Sequence, residues 1–192
     1  EQFYQARYKA DQIGRSNISG TPISIKNRKQ LPITEMKLSP DGTQLVYVMN
    51  EIGKYKIIQH NLATDERNVI KKGGFKNLFQ LTDYNYPIVA WNPNSQELAI
   101  ITERRDKLTV ETLNLSTKKW TELIIPEQYQ RIYSVDYLDP FTLLFSATVS
   151  GNADLFSFNT RTQHSTRLTN DYHDDLDAVA ATINGEKGIL FA

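Results

Sequence analysis

The feature that most constrains this chain is a repeat. Four segments share one layout: an apolar-alternating strand, a tight turn, a second apolar strand, then two more polar strands. Ile33 to Leu38 leads through Ser39-Pro40-Asp41-Gly42 into Leu45-Val46-Tyr47-Val48. Ile88 to Trp91 leads through Asn92-Pro93-Asn94-Ser95 into Leu98-Ala99-Ile100-Ile101. Tyr133 to Leu138 leads through Asp139-Pro140 into Leu143 to Ser146. Ala178 to Ile183 leads through Asn184-Gly185 into Ile189-Leu190-Phe191. A second landmark closes the third strand of each complete unit: Asn61-Leu62-Ala63-Thr64, Asn114-Leu115-Ser116-Thr117 and Asn159-Thr160-Arg161-Thr162. The landmark asparagines stand 53 and then 45 residues apart. A period near 45 filled by four short strands is the signature of a β-propeller blade.

The fold class read from this is all-β: a partial propeller of about three and a half four-stranded antiparallel blades. Their approximate spans are 32–74, 86–125, 131–170 and an incomplete 176–192. Pro-Asp-Gly and Asn-Gly supply the fixed or positive φ that tight hairpins need. Runs such as Leu143-Leu144-Phe145 suit strands buried on both faces, and Arg67 to Lys72 or Lys118 to Thr121 suit outer ones. A β-sandwich of evenly spaced strands is the rival, but it leaves the repeated turn-plus-asparagine layout unexplained. Residues 1–31 do not fit a blade. Phe3, Tyr4, Tyr8 and Ile13 fit a short amphipathic helix, Gly20 to Ile25 an extended strand, and the stretch holds six basic residues against two acidic ones. It reads as a linker entering the propeller.

Composition narrows the function classes. Twenty-two basic residues balance twenty-two acidic ones, whereas a chain that grips phosphate backbones carries a basic excess. No nucleic-acid partner is expected. No apolar run is long enough to span a bilayer, so no direct membrane insertion is expected. Without cysteine there are no disulfides, thiolate metal sites or cysteine nucleophiles. The three histidines, His60, His164 and His173, sit in no nucleophile elbow or His-Glu-x-x-His motif, and no glycine-rich phosphate loop occurs. No catalytic residue and no cofactor is assigned. The start at Glu1-Gln2-Phe3, without Met, reads as a processed or excised segment.

Two clusters stand out. Asp171, Asp174, Asp175 and Asp177, with His173 among them, could offer oxygens to a hard cation, but the spacing lacks the EF-hand pattern and its glycine. Aspartates that accept backbone hydrogen bonds at strand starts are the stronger reading. The other cluster is aromatic: Phe75, Phe79, Tyr84 and Tyr86 lie in the stretch that makes the first interval eight residues longer than the second. They either seal the space between blades one and two or form a recognition loop, because amphipathic aromatics anchor interfaces at low entropic cost. In a meander, the inter-blade connections and the second-to-third hairpins share one face. That face would collect the aromatic insertion, the acidic loop and the hairpins at Ile52-Gly53, Arg104-Arg105-Asp106 and Ser150-Gly151-Asn152. It is the face expected to bind, with Phe75, Phe79, Tyr84, Tyr86, Arg104, Arg105 and His173 as its interaction residues. The pairs Lys71-Lys72, Arg104-Arg105 and Lys118-Lys119 also read as edge charges that block aggregation.

At Ser39-Pro40-Asp41-Gly42-Thr43, the Asn-Leu-x-Thr hairpins, and Arg167 to Asp171 followed by Asp174 to Asp177, residues 32–192 resemble the TolB-like, WD-repeat-like propeller family. More narrowly, they are similar to propellers of large bacterial envelope proteins that also carry a metallopeptidase-like domain. The later turns depart from Ser-Pro-Asp-Gly, and Ala178 stands where a proline is expected. The resemblance implies a non-catalytic binding or scaffolding module in the periplasm or outer envelope, with a protein partner and, as a second ligand class, a glycan. Its alternative is an accessory propeller gating substrate for a peptidase-like domain elsewhere in the chain. Family propellers have six or seven blades, so an open arc predicts either a fragment or self-association through its blade edges.

Overall fold

Each of the four repeat units folds into its own sheet. The computed structural model describes residues 23, 25–75, 84–104, 107–125, 129–183 and 185–192. Among them are fourteen strands and no helix. The first sheet holds β1 (Ile33–Leu38), β2 (Gln44–Glu51), β3 (Lys54–Asn61) and β4 (Arg67–Gly74). The second holds β5 (Ile88–Trp91), β6 (Glu97–Arg104), β7 (Lys107–Asn114) and β8 (Trp120–Leu123). The third holds β9 (Arg131–Asp139), β10 (Thr142–Val149), β11 (Asn152–Asn159) and β12 (His164–Arg167). β13 (Val179–Ile183) pairs with β14 (Glu186–Leu190). Every sheet is a sequential antiparallel meander. The first strands lie side by side, β1 against β5, β5 against β9 and β9 against β13. Sheets packed in series around their first strands are propeller blades, and a two-sheet sandwich is excluded.

Serial packing explains the double-sided apolar runs, because successive side chains of a strand face opposite neighbouring blades. Val46, Val48 and Ile57 of blade one pack with Val89, Trp91, Leu98, Ile100 and Leu113 of blade two. The alternate residues Ala90, Ala99, Ile101 and Val110 face the other way, onto Ile132, Val135, Leu143, Phe145, Phe156 and Phe158 of blade three. Leu144 and Leu155 turn towards Ala178 and Ile189 of the fourth unit. On the free side of blade one, Leu45, Tyr47 and Ile58 receive Ile25. Of the stretch read as an extended strand, Gly20 to Ile25, only Ile23 and Ile25 are described, neither of them in a strand, and the stretch read as a helix, 3–13, lies outside the described residues.

The landmarks have one physical role each. Asn61 Oδ1 accepts the N–H groups of Ala63 and Thr64 at 3.0 and 3.1 Å, Asn114 Oδ1 those of Ser116 and Thr117, and Asn159 Oδ1 those of Arg161 and Thr162. Four residues after each asparagine the chain turns left-handed, at Asp65 (φ 58°), Lys118 (φ 57°) and Gln163 (φ 55°). The turn into the second strand is also repeated. Gly42 N donates to Ser39 O and Ser95 N to Asn92 O, both at 2.8 Å. Gly42 and Ser95 both hold positive φ, 72° and 59°. Ser95 takes this position without being glycine, and its Oγ accepts a bond from Asp41 N of the neighbouring blade at 3.2 Å.

The first of these turns is held by a carboxylate. Hydrogen bonds from the Ser39 hydroxyl and the Thr43 N–H hold the Asp41 carboxyl below the usual carboxylate range. The Phe141 N–H does the same for Asp139 in the third blade. A depressed folded value means that the stabilisation is complete above the ordinary value near 4 and is lost as pH falls through the folded one. Urea midpoints measured between pH 7 and pH 2.5 should therefore fall less steeply for D41N than for the parent chain. Superimposable profiles would show that the Asp41 charge is irrelevant to the turn.

Candidate functional site

Blade one departs from the others at its outer strand. β8 and β12 have four residues each and pair only with the later half of their neighbours. β4 has eight and pairs along β3 from His60 to Lys54, so Lys71 to Gly74 run on towards the β2–β3 hairpin. The extension requires Gly74, and Gly73 leaves room for the Tyr55 ring. A side chain at Gly73 would meet the Tyr55 hydroxyl at 2.3 Å, and one at Gly74, where φ is +75°, would meet Gly53 O at 1.8 Å. The result is a groove between blades one and two of about 460 Å³, within the usual range for ligand sites. It is lined by Tyr55, Lys71 and Phe75 from one side and by Thr102, Arg104 and Glu111 from the other.

Charges and rings alternate along this groove. Lys71 is paired with Glu111 across the blade boundary and sits 4.9 Å from the centre of the Trp120 ring. Arg104 stacks on Phe75 at 4.7 Å. Phe75 is 51% exposed, and Tyr84 is exposed as well. Burial raises the Tyr55 hydroxyl above its ordinary value, opposed by its hydrogen bond with Thr102.

The expected interaction residues therefore separate. The structure brings Phe75 and Arg104 together, whereas Phe79 and Arg105 lie outside the described residues. Tyr86 is a correction. It is only 7% exposed, packs in the cluster between blades two and three, and bonds through its hydroxyl to Ile132 O at 2.7 Å and Ile132 N at 3.0 Å. It neither offers a surface nor seals blades one and two. Lys71 also differs from a solvated edge charge, because it is half-buried in an ion pair.

The acidic stretch lies on the same face, joining blade three to the fourth unit. Asp171 Oδ1 accepts the N–H of the exposed His173 at 2.8 Å, and Asp174 Oδ1 that of Ala153 at 2.8 Å. Asp175 is buried; its N–H donates to Ala153 O, and its carbonyl accepts from the Ser146 hydroxyl. Asp177 holds a positive φ of 52°. Among the described residues no three His, Asp or Glu side chains gather as a metal site. These aspartates tie a loop to β11, and they bring no cation-binding cage together. Of the other histidines, His60 is buried against Asp65 at 2.8 Å, and His164 opens β12.

Sequence reasoning missed an ion pair with one buried partner. The Arg167 guanidinium meets the fully buried Asp154 carboxylate. Only the spacing of two charged residues in facing strands hinted at it. Removing the arginine leaves the buried Asp154 carboxylate uncompensated, and because the guanidinium is partly in water the cost falls below the roughly 3 kcal/mol of a fully buried pair. R167L should lose about 1–3 kcal/mol in urea unfolding, and adding D154L should recover most of it. Equal losses in the single and double variants would refute the pairing argument.

Several solved structures share this arrangement. TolB from Acinetobacter baumannii superposes with a TM-score of 0.63 at 16% identity, over 84% of this chain and 41% of its own. A putative TolB from Agrobacterium tumefaciens gives 0.58 at 17% identity, over 73% and 47%. The chain has the TolB-like β-propeller fold. It spans under half the length of these two TolB structures. The propeller domain of the Trilobed protease from Pyrococcus furiosus, described as having an open velcro topology, gives 0.55 at 12% identity, over 83% and 53%. No protein-family profile matches the chain. No curated protein matches it by sequence. At these identities the likeness shows the propeller fold alone.

Proposed function

We propose that this chain is a non-catalytic protein-binding module of the bacterial envelope, working through the face that carries the β2–β3 and β6–β7 hairpins. The observation that carries the reading is the departure of blade one from its own repeat. The longer β4 builds, with β6 and β7 of blade two, a groove that the repeat does not call for, and Phe75 meets Arg104 at its rim. Features that break local regularity at a structural cost, such as the Gly73-Gly74 pair, gather where function needs them. Likeness to TolB propellers supports the envelope location. A second reading, a propeller that gates substrate for a peptidase domain, is favoured by the likeness to the Trilobed protease propeller.

The test is cross-linking in envelope extract with the parent protein as bait, beside an F75A/Y84A bait. A partner captured by the first and lost from the second supports the binding reading and its face. A partner retained by both removes this face. Cleavage of a captured partner that depends on the rest of the parent chain would favour the gating reading.

A further inference from the structure

The free side of blade one is already claimed in part by the chain's own N-terminal segment. Leu45 and Tyr47 stand five and seven residues after Pro40, as Leu98 and Ile100 stand after Pro93. In blade two these positions pack onto the preceding blade. In blade one they receive Ile25, together with Ile58. The segment that delivers Ile25 is tied down. Asn27 Oδ1 accepts the N–H of Leu31 at 2.9 Å, and its Nδ2 donates to Leu31 O at 2.7 Å. Lys29 meets Glu51 at 3.3 Å, and Asn50 N donates to Pro32 O at 3.0 Å.

This cover is incomplete. Register sets Met36, Tyr47, Ile58 and Val69 in one row across all four strands. The middle two, packed with Ile25, are buried, whereas Met36 and Val69 on the flanks are 47% and 48% exposed. Leu38, across from Leu45 on the same face, is exposed as well. Met36 and Leu38 stand four and two residues before Pro40, as Val89 and Trp91 stand before Pro93. Val89 and Trp91 are buried against blade one. Apolar positions that the repeat buries are thus left open on both flanks of the strap.

We propose that residues 3–13 dock on this face, with Phe3, Tyr4, Tyr8 and Ile13 over Met36, Leu38 and Val69, and cap the free side of blade one as a terminal repeat caps an array. The chain leads there, because Ile23 and Ile25 stand at the beginning of the strap and Ile25 lies on the face itself. The ten residues from Ile13 to Ile23 reach up to about 33 Å, and the outer strands of a four-stranded sheet stand only about 14 Å apart. The amphipathic pattern of residues 3–13 supplies an apolar stripe for the open flanks. A preceding blade would need the place that Ile25 holds.

Methionine oxidation reads this face directly, because the chain has two methionines and both, Met36 and Met49, lie in blade one. The complete chain is treated with hydrogen peroxide beside free N-acetylmethioninamide, and sulfoxide is followed by peptide mass spectrometry. Met36 should oxidise well below the free rate in the parent chain, and about fivefold faster in F3S/Y4S/Y8S/I13S while Met49 stays slow. Unfolding of the variant would release Met49 too, and the parent rate then tests the docking by itself. The inference is overturned if Met36 oxidises at the free rate in the parent chain, or if the four serines leave its protection unchanged. It is equally overturned if protection appears only at high chain concentration, which would assign the face to a second copy.

Discussion

Phe145→Ala should be the most damaging single core substitution in the chain, costing about 3–5 kcal/mol. Phe145 is 0% exposed in the middle of β10 and lies edge-on to Tyr129 at 6.0 Å and tilted against Phe158 at 6.1 Å. Tyr129 in turn stands edge-on to Phe156 at 5.1 Å. Truncation opens a cavity in the cluster that joins blades two and three, and backbones fixed in two sheets on either side cannot collapse to fill it. In a chain of this size each kcal/mol moves the melting temperature by about 2–4 °C, so a fall of roughly 10 °C is expected by calorimetry. Phe141→Ala makes the useful comparison. That ring is 41% exposed beneath Arg161, and its loss should move the melt by no more than about 2 °C. Similar shifts for the two would mean that the blade-two to blade-three cluster does not hold the arc together.

Gly74→Ala should be nearly as costly and should also erase the groove. The residue has φ +75°, and an added Cβ would lie 1.8 Å from Gly53 O, a backbone atom that cannot rotate away. Left-handed strain and the clash together amount to about 3 kcal/mol if the end of β4 stays in place. The alternative is that β4 detaches beyond Lys71, which sacrifices its last pairs with Lys54 and Tyr55. Hydrogen exchange distinguishes the two, because detachment exposes amides from Lys71 to Gly74 while the rest of blade one stays protected. If β4 detaches, cross-linking through the hairpin face should fall as it does for the F75A/Y84A bait. Unaltered stability and exchange in G74A would contradict the close approach of β4 to the β2–β3 hairpin.

Much of the fold was legible from residues alone because its signals are local. β1 and β5 occupy the segments read as first strands, Ile33 to Leu38 and Ile88 to Trp91. The landmark asparagines could be found because their work, accepting the N–H groups two and three residues on, involves only near neighbours. The fourth unit was read less well. β14 begins at Glu186 and ends at Leu190, earlier than the apolar run Ile189 to Phe191 suggested. Exposed residues there give no alternation to read.

What only the tertiary structure decided is which blade boundary a given side chain meets. Tyr86 belongs to the boundary between blades two and three, because the chain after the insertion enters β5 on that side. The buried Asp154 meets Arg167 only once β11 and β12 are in register. Lys71 shows the reason most directly. Ile57 pairs with Lys71 and Ile58 with Val69, so a bulge at Ile70 adds one residue to β4. A single extra residue reverses the side on which every later side chain falls, and it turns Lys71 from the outer face towards Glu111 of blade two. The sequence by itself determined the repeat, the turns and the strand character, which depend on spacing along the chain. The groove and its charges depend on register between strands and packing between sheets, which no pattern within one strand encodes.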